Sequence, residues 1–218
     1  MNIDGLGDKI IRLFIEKKII KTVSDLYKIK EEDTISLEGF GSKSSSNLIE
    51  SIKASKDNSL QRFIYALGIR EVGQATALNL AINFNDIKRL MEVSKEDLIE
   101  INDIGPVAAG FIHDYFSDKN SIELVNELIL LGLKLSPPQT DNSSKFSGKT
   151  IVITGSFTSF SRNELKEQLI VRGAKVTSSI STKTDFLISG EKPGSKLSKA
   201  EELNIKTLNE QEVIDLLN

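Results

Sequence analysis

The chain has 218 residues, 39% apolar and 27% charged, enough for one or two globular domains with cores of their own. A net charge of −3 excludes binding of nucleic acid by bulk basicity, and the lack of cysteine excludes disulfides and thiolate metal sites and fits a reducing cytosol. No apolar run approaches the roughly 20 residues that span a bilayer, and the basic-apolar-small pattern of a signal peptide is missing, so no membrane partner is expected. Residues 1–135 carry 17 Lys+Arg against 21 Asp+Glu, and residues 136–218 carry 11 against 10. Any nucleic-acid binding must then come from local geometry.

A glycine turn recurs along the first part. "IDGLGDKI" (3–10), "LEGFGSKS" (37–44), "IREVGQAT" (69–76) and "INDIGPVA" (101–108) align on Gly7, Gly41, Gly73 and Gly105, spaced 34, 32 and 32 residues apart. Four residues before each anchor stands Ile3, Leu37, Ile69 or Ile101; one before, Leu6, Phe40, Val72 or Ile104; seven after, Phe14, Leu48, Leu80 or Ile112. Such a period marks an internal repeat of helix, turn, helix. Ser24 is expected to cap the helix before the second turn, "SLQRFIYAL" reads as the helix before the third, and Ser94 with Asp97 resembles a capping box before the fourth. Pro106 suits the first turn of the last second helix. The helix that would lead into the first turn is missing, which suggests a piece of a longer protein. "SIELVNELILLGLKL" (121–135) reads as a closing helix.

The first amides of a helix lack internal partners and lie at the positive end of its dipole. Glycines let an anion approach them, so a Gly-apolar-Gly turn suits a backbone phosphate, a contact without sequence information. The candidate contacts are Gly5, Leu6, Gly7 and Lys9; Gly39, Phe40, Gly41 and Lys43; Val72 and Gly73; Ile104 and Gly105. Glu71 and Asp103 replace the first glycine in repeats three and four, where their carboxylates would repel phosphate unless they turn away or cap. Those two turns are expected to be more structural or to bind less tightly. The plainer alternative is a set of helical hairpins whose glycines only permit tight packing. The four turns resemble the helix-hairpin-helix motif of non-sequence-specific DNA-binding proteins. That resemblance implies paired motifs gripping the minor-groove side of duplex DNA through backbone amides.

"SPPQTDNSSKF" (136–146) reads as a flexible linker. Then "KTIVITGSF" reads as a buried strand and "SRNELKEQLIVRGA" as a helix with a Ser161–Glu164 capping box. "KVTSSIS" and "TDFLISG" are strands, "SKLSKAEELN" a helix, "IKTL" a strand and "NEQEVIDLL" a helix capped by Asn209. The order β-α-β-β-α-β-α points to a small, mainly parallel α/β sheet. "SGKTIVITGSF", "RGAKVTSSISTKTDFLISG" and "GSKLSKAEELNIKTL" resemble the BRCT domain, with Gly173-Ala174 where Gly-Gly is usual and no tryptophan in the last helix. In one BRCT subgroup the matching positions, here Thr154, Gly155, Arg162 and Lys196, bind phosphate, and a hydroxyl, an amide and two cations suit a 5′-phosphate. The bland alternative is a strand end with solvated cations.

Other patterns carry nothing. "GEKPGSK" (190–196) has three residues between its glycines and does not join a first strand to its helix, so it is no P-loop. "KTDF" and "NIDG" are not the Lys-x-Asp-Gly of nucleotidyltransferases, and the lone His113 reads as an ordinary helix residue.

The chain as a whole is thus expected to be multidomain: an all-α tandem helix-hairpin-helix domain (1–135), a linker (136–145), and a small α/β BRCT domain (146–218) with a four-stranded parallel sheet. This order resembles the C-terminal part of bacterial NAD-dependent DNA ligases. It implies a monomeric, cytoplasmic chain that clamps nicked double-stranded DNA beside upstream ligase domains. The resemblance puts no catalytic residue, metal or cofactor in this chain and implies NAD, magnesium and zinc for the parent enzyme. The alternative is a DNA-repair scaffold that uses BRCT for protein interaction.

Overall fold

A computed structural model describes residues 1–37, 39–101, 103–141 and 143–217. The first domain is helical: α1 (Asp8–Glu16), a 3₁₀ turn (Ser24–Lys28), α2 (Glu31–Thr34), α3 (Ser42–Ala54), α4 (Leu60–Ala66), α5 (Gln74–Phe84), α6 (Ile87–Met91), α7 (Lys95–Glu100), α8 (Pro106–Ser117) and α9 (Lys119–Leu130). The repeat columns build its core. Phe14, Leu48, Leu80 and Ile112, seven after each anchor, are all buried in one apolar cluster that also takes in the aliphatic residues four and one before each anchor. Helical spacing puts those positions on the inner face of every second helix.

Three local expectations change. Before the second turn Ser24 is buried in the 3₁₀ turn, and Asp25 instead accepts from the Lys21 and Thr22 amides at 2.9 Å each. Ser94 does cap α7, but Asp97 accepts from the Ser94 hydroxyl at 2.6 Å, the shorter acid reaching the side chain rather than the amide behind it. The closing helix ends at Leu130. Gly132 at φ 93° lets the Leu133 amide return to the Leu128 carbonyl and the Gly132 amide to that of Ile129, a Schellman cap. The freed chain forms β2 (Lys134–Ser136), paired in parallel with β1 (Asp57–Ser59).

The second domain is a four-stranded parallel sheet of β3 (Thr150–Thr154), β4 (Lys175–Thr177), β5 (Phe186–Ser189) and β6 (Lys206–Leu208), ordered β4-β3-β5-β6, with α10 (Arg162–Val171), α11 (Ser195–Glu202) and α12 (Glu210–Leu217). Side chains alternate across a strand. Ile151 and Ile153 therefore meet Leu165 and Leu169 of α10 and Val213 of α12, while Val152 and Leu187 meet Ala200 of α11. The Ser161–Glu164 box forms in full, and Asn209 and Glu212 make a second one at α12. In the expected linker Ser136 belongs to β2, and Asp141 already donates its amide to the Val171 carbonyl at the end of α10. The domains also meet directly, because Leu78 and Ile82 of α5 pack into the cluster around α10. No helix among the described residues is long and apolar enough to cross a membrane.

Four residues after the anchors stand Ser45, Ala77 and Ala109, all fully buried, and the Ser45 hydroxyl has no hydrogen-bond partner among the described residues. A buried hydroxyl left unpaired costs about 1–3 kcal/mol. Ser45→Ala is thus expected to stabilise the chain by about 1 kcal/mol, seen as a higher urea midpoint.

Carboxylates that accept backbone amides hold the second domain's loops. Glu164 accepts from Ser161, Asp185 from Thr150, and Glu210 from Ser159 and Thr158, and these amide bonds keep all three below the ordinary carboxylate range. A carboxylate depressed in the folded state contributes stability that is present above its unfolded pKa, about 4, and lost as pH falls through its folded value. The thermal midpoint should therefore drop between pH 6 and pH 3, and by less in Glu210→Gln.

Candidate nucleic-acid interface

The four turns share one geometry. The amides of Leu6, Phe40, Val72 and Ile104 donate to the carbonyls of Ile3, Leu37, Ile69 and Ile101 at 3.0–3.1 Å. Two residues before each anchor the backbone is left-handed: Gly5 at 79°, Gly39 at 82°, Glu71 at 64° and Asp103 at 63°. Positive φ at the third residue is what a type II turn requires. Glu71 and Asp103 adopt it at a cost of about 1–2 kcal/mol each. The residue between is what holds the turn: Val72 and Ile104 are buried, Leu6 and Phe40 half-buried, and the Phe40 ring lies 6.1 Å from that of Phe14. What these four can offer a ligand is therefore mainly backbone.

Each anchor glycine is an extended N-cap, and none of the helices it opens (α1, α3, α5, α8) has a side-chain cap bond from its N-cap residue. Most of the other helices are capped by a side chain: Ser59 caps α4, Asp86 α6, Ser94 α7, Asp118 α9 and Ser161 α10, while α2 and α11 are not. A side-chain cap would occupy the amides that an external anion needs. Gly7, Gly41, Gly73 and Gly105 are all exposed, and a Cβ built on any of them meets nothing within 4 Å. The space before these helix ends is open.

Turns one and two face a common cleft of about 870 Å³ lined by Gly5, Lys9, Gly39, Phe40, Ser44 and Asn47, among others. Lys9 and Lys43 are exposed. Three features escaped the sequence. The Ser44 hydroxyl accepts the Gly41 amide at 2.8 Å, so the open donors of α3 lie after Gly41; a serine three residues past a glycine N-cap was the available signal. Asp8, in the first turn of α1, is drawn to Arg12 at 2.8 Å. At the fourth turn Asp103 turns away to Lys166 of α10 at 2.9 Å, a partner 63 residues on that no spacing rule could supply.

In the second domain Thr154, Gly155, Arg162 and Lys196 gather where β3 and β5 end, the crevice at which an open parallel sheet binds ligands. Their donors are partly spent: the Thr154 hydroxyl donates to the Pro193 carbonyl at 2.5 Å and the Arg162 guanidinium to that of Ile153 at 2.9 Å. Gly155, at φ 80°, is needed for packing, since a Cβ there would lie 2.6 Å from the Glu191 carbonyl oxygen. Lys196 opens α11, whose N-cap Gly194 also lacks a side-chain bond. Burial and the positive charge of Arg162 push its ammonium pKa down. Neither cation has an ion pair among the described residues, so the site gathers uncompensated positive charge. His113 lies exposed on α8 beside Asp114.

Residues 62–125 match the Helix-hairpin-helix motif family, and residues 141–217 match the BRCA1 C Terminus (BRCT) domain family. The fold therefore defines a helix-hairpin-helix domain joined to a BRCT domain. The whole chain is moreover similar to DNA ligases: it is 45% identical to one from Coxiella burnetii and 43% to one from Shewanella frigidimarina, each over 100% of this chain, and 44% to one from Bacillus subtilis over 98% of it. It spans about a third of the length of these relatives, 32%, 33% and 33%.

The two glycines of a turn should separate on substitution. Gly39→Ala forces a side chain into the left-handed region and should cost about 1–2 kcal/mol. Gly41, at φ −125°, is extended with open space around it, so Gly41→Ala should change the urea midpoint little.

Proposed function

We propose that this chain is the C-terminal, DNA-gripping part of a bacterial NAD-dependent DNA ligase, working in the cytoplasm. Its hairpins hold nicked duplex DNA through phosphate contacts that carry no sequence information, while nick sealing belongs to other domains of the longer protein. The observation that carries this reading is the row of glycine-started helices without N-cap side-chain bonds, set by one repeated turn, in a fold that caps most of its other helices with side chains. Similarity to DNA ligases along the whole chain supports it. On this reading the contacts are Gly5, Leu6, Gly7 and Lys9 with Gly39, Phe40, Gly41 and Lys43, where the cleft is open, and then Val72, Gly73, Ile104 and Gly105. The chain contributes no catalytic group; NAD, magnesium and zinc serve the rest of the enzyme. It acts as a monomer, with the upstream domains as its partners in the same polypeptide.

In the BRCT domain Arg162 and Lys196 offer an unpaired doublet of positive charge to a DNA phosphate, with Thr154 and Gly155 shaping the floor.

The chain should bind nicked duplex with a shallow salt dependence. If Lys9 and Lys43 are the cations that displace counterions, log K against log salt should fall with a slope of about −2. Gly7→Ala and Gly41→Ala should each weaken binding severalfold while the protein stays folded, because a methyl then stands between phosphate and amides. Absence of binding even at low salt would sink the clamp for this chain. Binding that both variants retain in full would make the hairpins spacers for a BRCT-mediated protein contact.

A further inference from the structure

We propose that the BRCT domain brings the fourth hairpin into DNA contact, with Lys166 as a positioning residue that neutralises the Asp103 carboxylate in that hairpin's turn. The inference rests on the reading of the hairpins as phosphate-binding turns and names the element that regulates one of them.

The repeat makes the problem visible. Turns one and two carry glycine at the left-handed position, and turns three and four carry Glu71 and Asp103. A carboxylate two residues before the N-cap of a helix competes with an incoming phosphate for the same positive field and repels it. The two acids are treated differently. Glu71 is exposed and has no ion pair among the described residues. Asp103 is bound by the Lys166 ammonium at 2.9 Å, with both side chains only 28% exposed. Lys166 lies on α10, so its reach depends on the docking of the two domains. That docking is apolar: Leu78, 1% exposed on α5, and Ile82 are part of the cluster formed by Leu165 and Leu169 of α10.

The docked BRCT domain does not cover the hairpin ends. Gly105, Pro106 and Val107 at the start of α8 remain exposed, as do Gly73 and Gln74 at the start of α5. The contact approaches the fourth turn from its flank, and the small cleft between them is lined by Asp103, Arg162, Asn163 and Lys166. A phosphate at the α8 amides would thus meet an ion pair and a neighbouring guanidinium in place of a bare carboxylate. An autoinhibitory lid would instead bury Gly105.

The test is a double-mutant cycle on the full 218-residue chain binding nicked duplex, with Lys166→Met and Asp103→Gly. Lys166→Met leaves the acid uncompensated and should weaken binding at least about threefold, and Lys166→Arg should restore it. Asp103→Gly removes the acid and gives the turn the residue found in repeats one and two, so Lys166→Met in that background should change affinity less than about twofold. Equal losses in both backgrounds would make Lys166 a direct DNA contact and overturn the proposal. So would a Lys166→Met chain that binds like the unaltered one. If the unaltered chain binds no DNA, the phosphate-binding reading itself fails, and this inference with it.

Discussion

The helical domain depends on one local hydrogen bond made four times. An apolar residue sends its side chain inward and its amide back to the carbonyl of an aliphatic residue three positions earlier. Both side chains join the core, so the turn cannot rotate without opening the core. The backbone between them must pass through the left-handed region, and the glycine that follows must be extended. With those constraints met, the next helix can only leave with its first amides facing solvent. The burial that holds the repeat together thus aims the unpaired donors.

This arrangement lets an acidic chain present local positive fields. Its net charge of −3 says little about a field composed of helix ends. Two acids placed near those ends are drawn aside, Asp8 by Arg12 along the same helix and Asp103 by Lys166 across the domain boundary, while Glu71 at the third turn stays exposed. Others serve as caps for amides that face no ligand, as Asp25, Asp86 and Asp118 do. Acidity is tolerated because it is spent locally.

The parts readable from sequence were those governed by local periodicity. The apolar columns gave the repeat and its core, the buried run 150–154 gave the central strand, and Ser161 with Glu164 gave a helix start. Parts fixed by tertiary contact were hidden. Leu78 reads like any apolar residue of a second helix, and only the α10 surface opposite makes it an interdomain anchor. Lys134 and Leu135 read as the tail of a helix, and Ser136 as linker, until Gly132 ends that helix and β1 supplies a ladder. The self-contained Ser44 bond at α3 was local but too generic in a serine run to single out.

The β1–β2 ladder has a consequence for folding and for load. Lys56 reaches the Leu131 carbonyl across 75 residues, and the Ser136 hydroxyl reaches that of Asn58 across 78. Contacts of such separation carry the loop-closure cost of the whole intervening stretch, which includes hairpins three and four, and raise the contact order of the domain. Once closed, the ladder fixes the exit of the helical domain at the junction between the second and third hairpins. Tension on the chain leading to the BRCT domain is then borne by the ladder at that seam, and α9 is shielded from being peeled off its end.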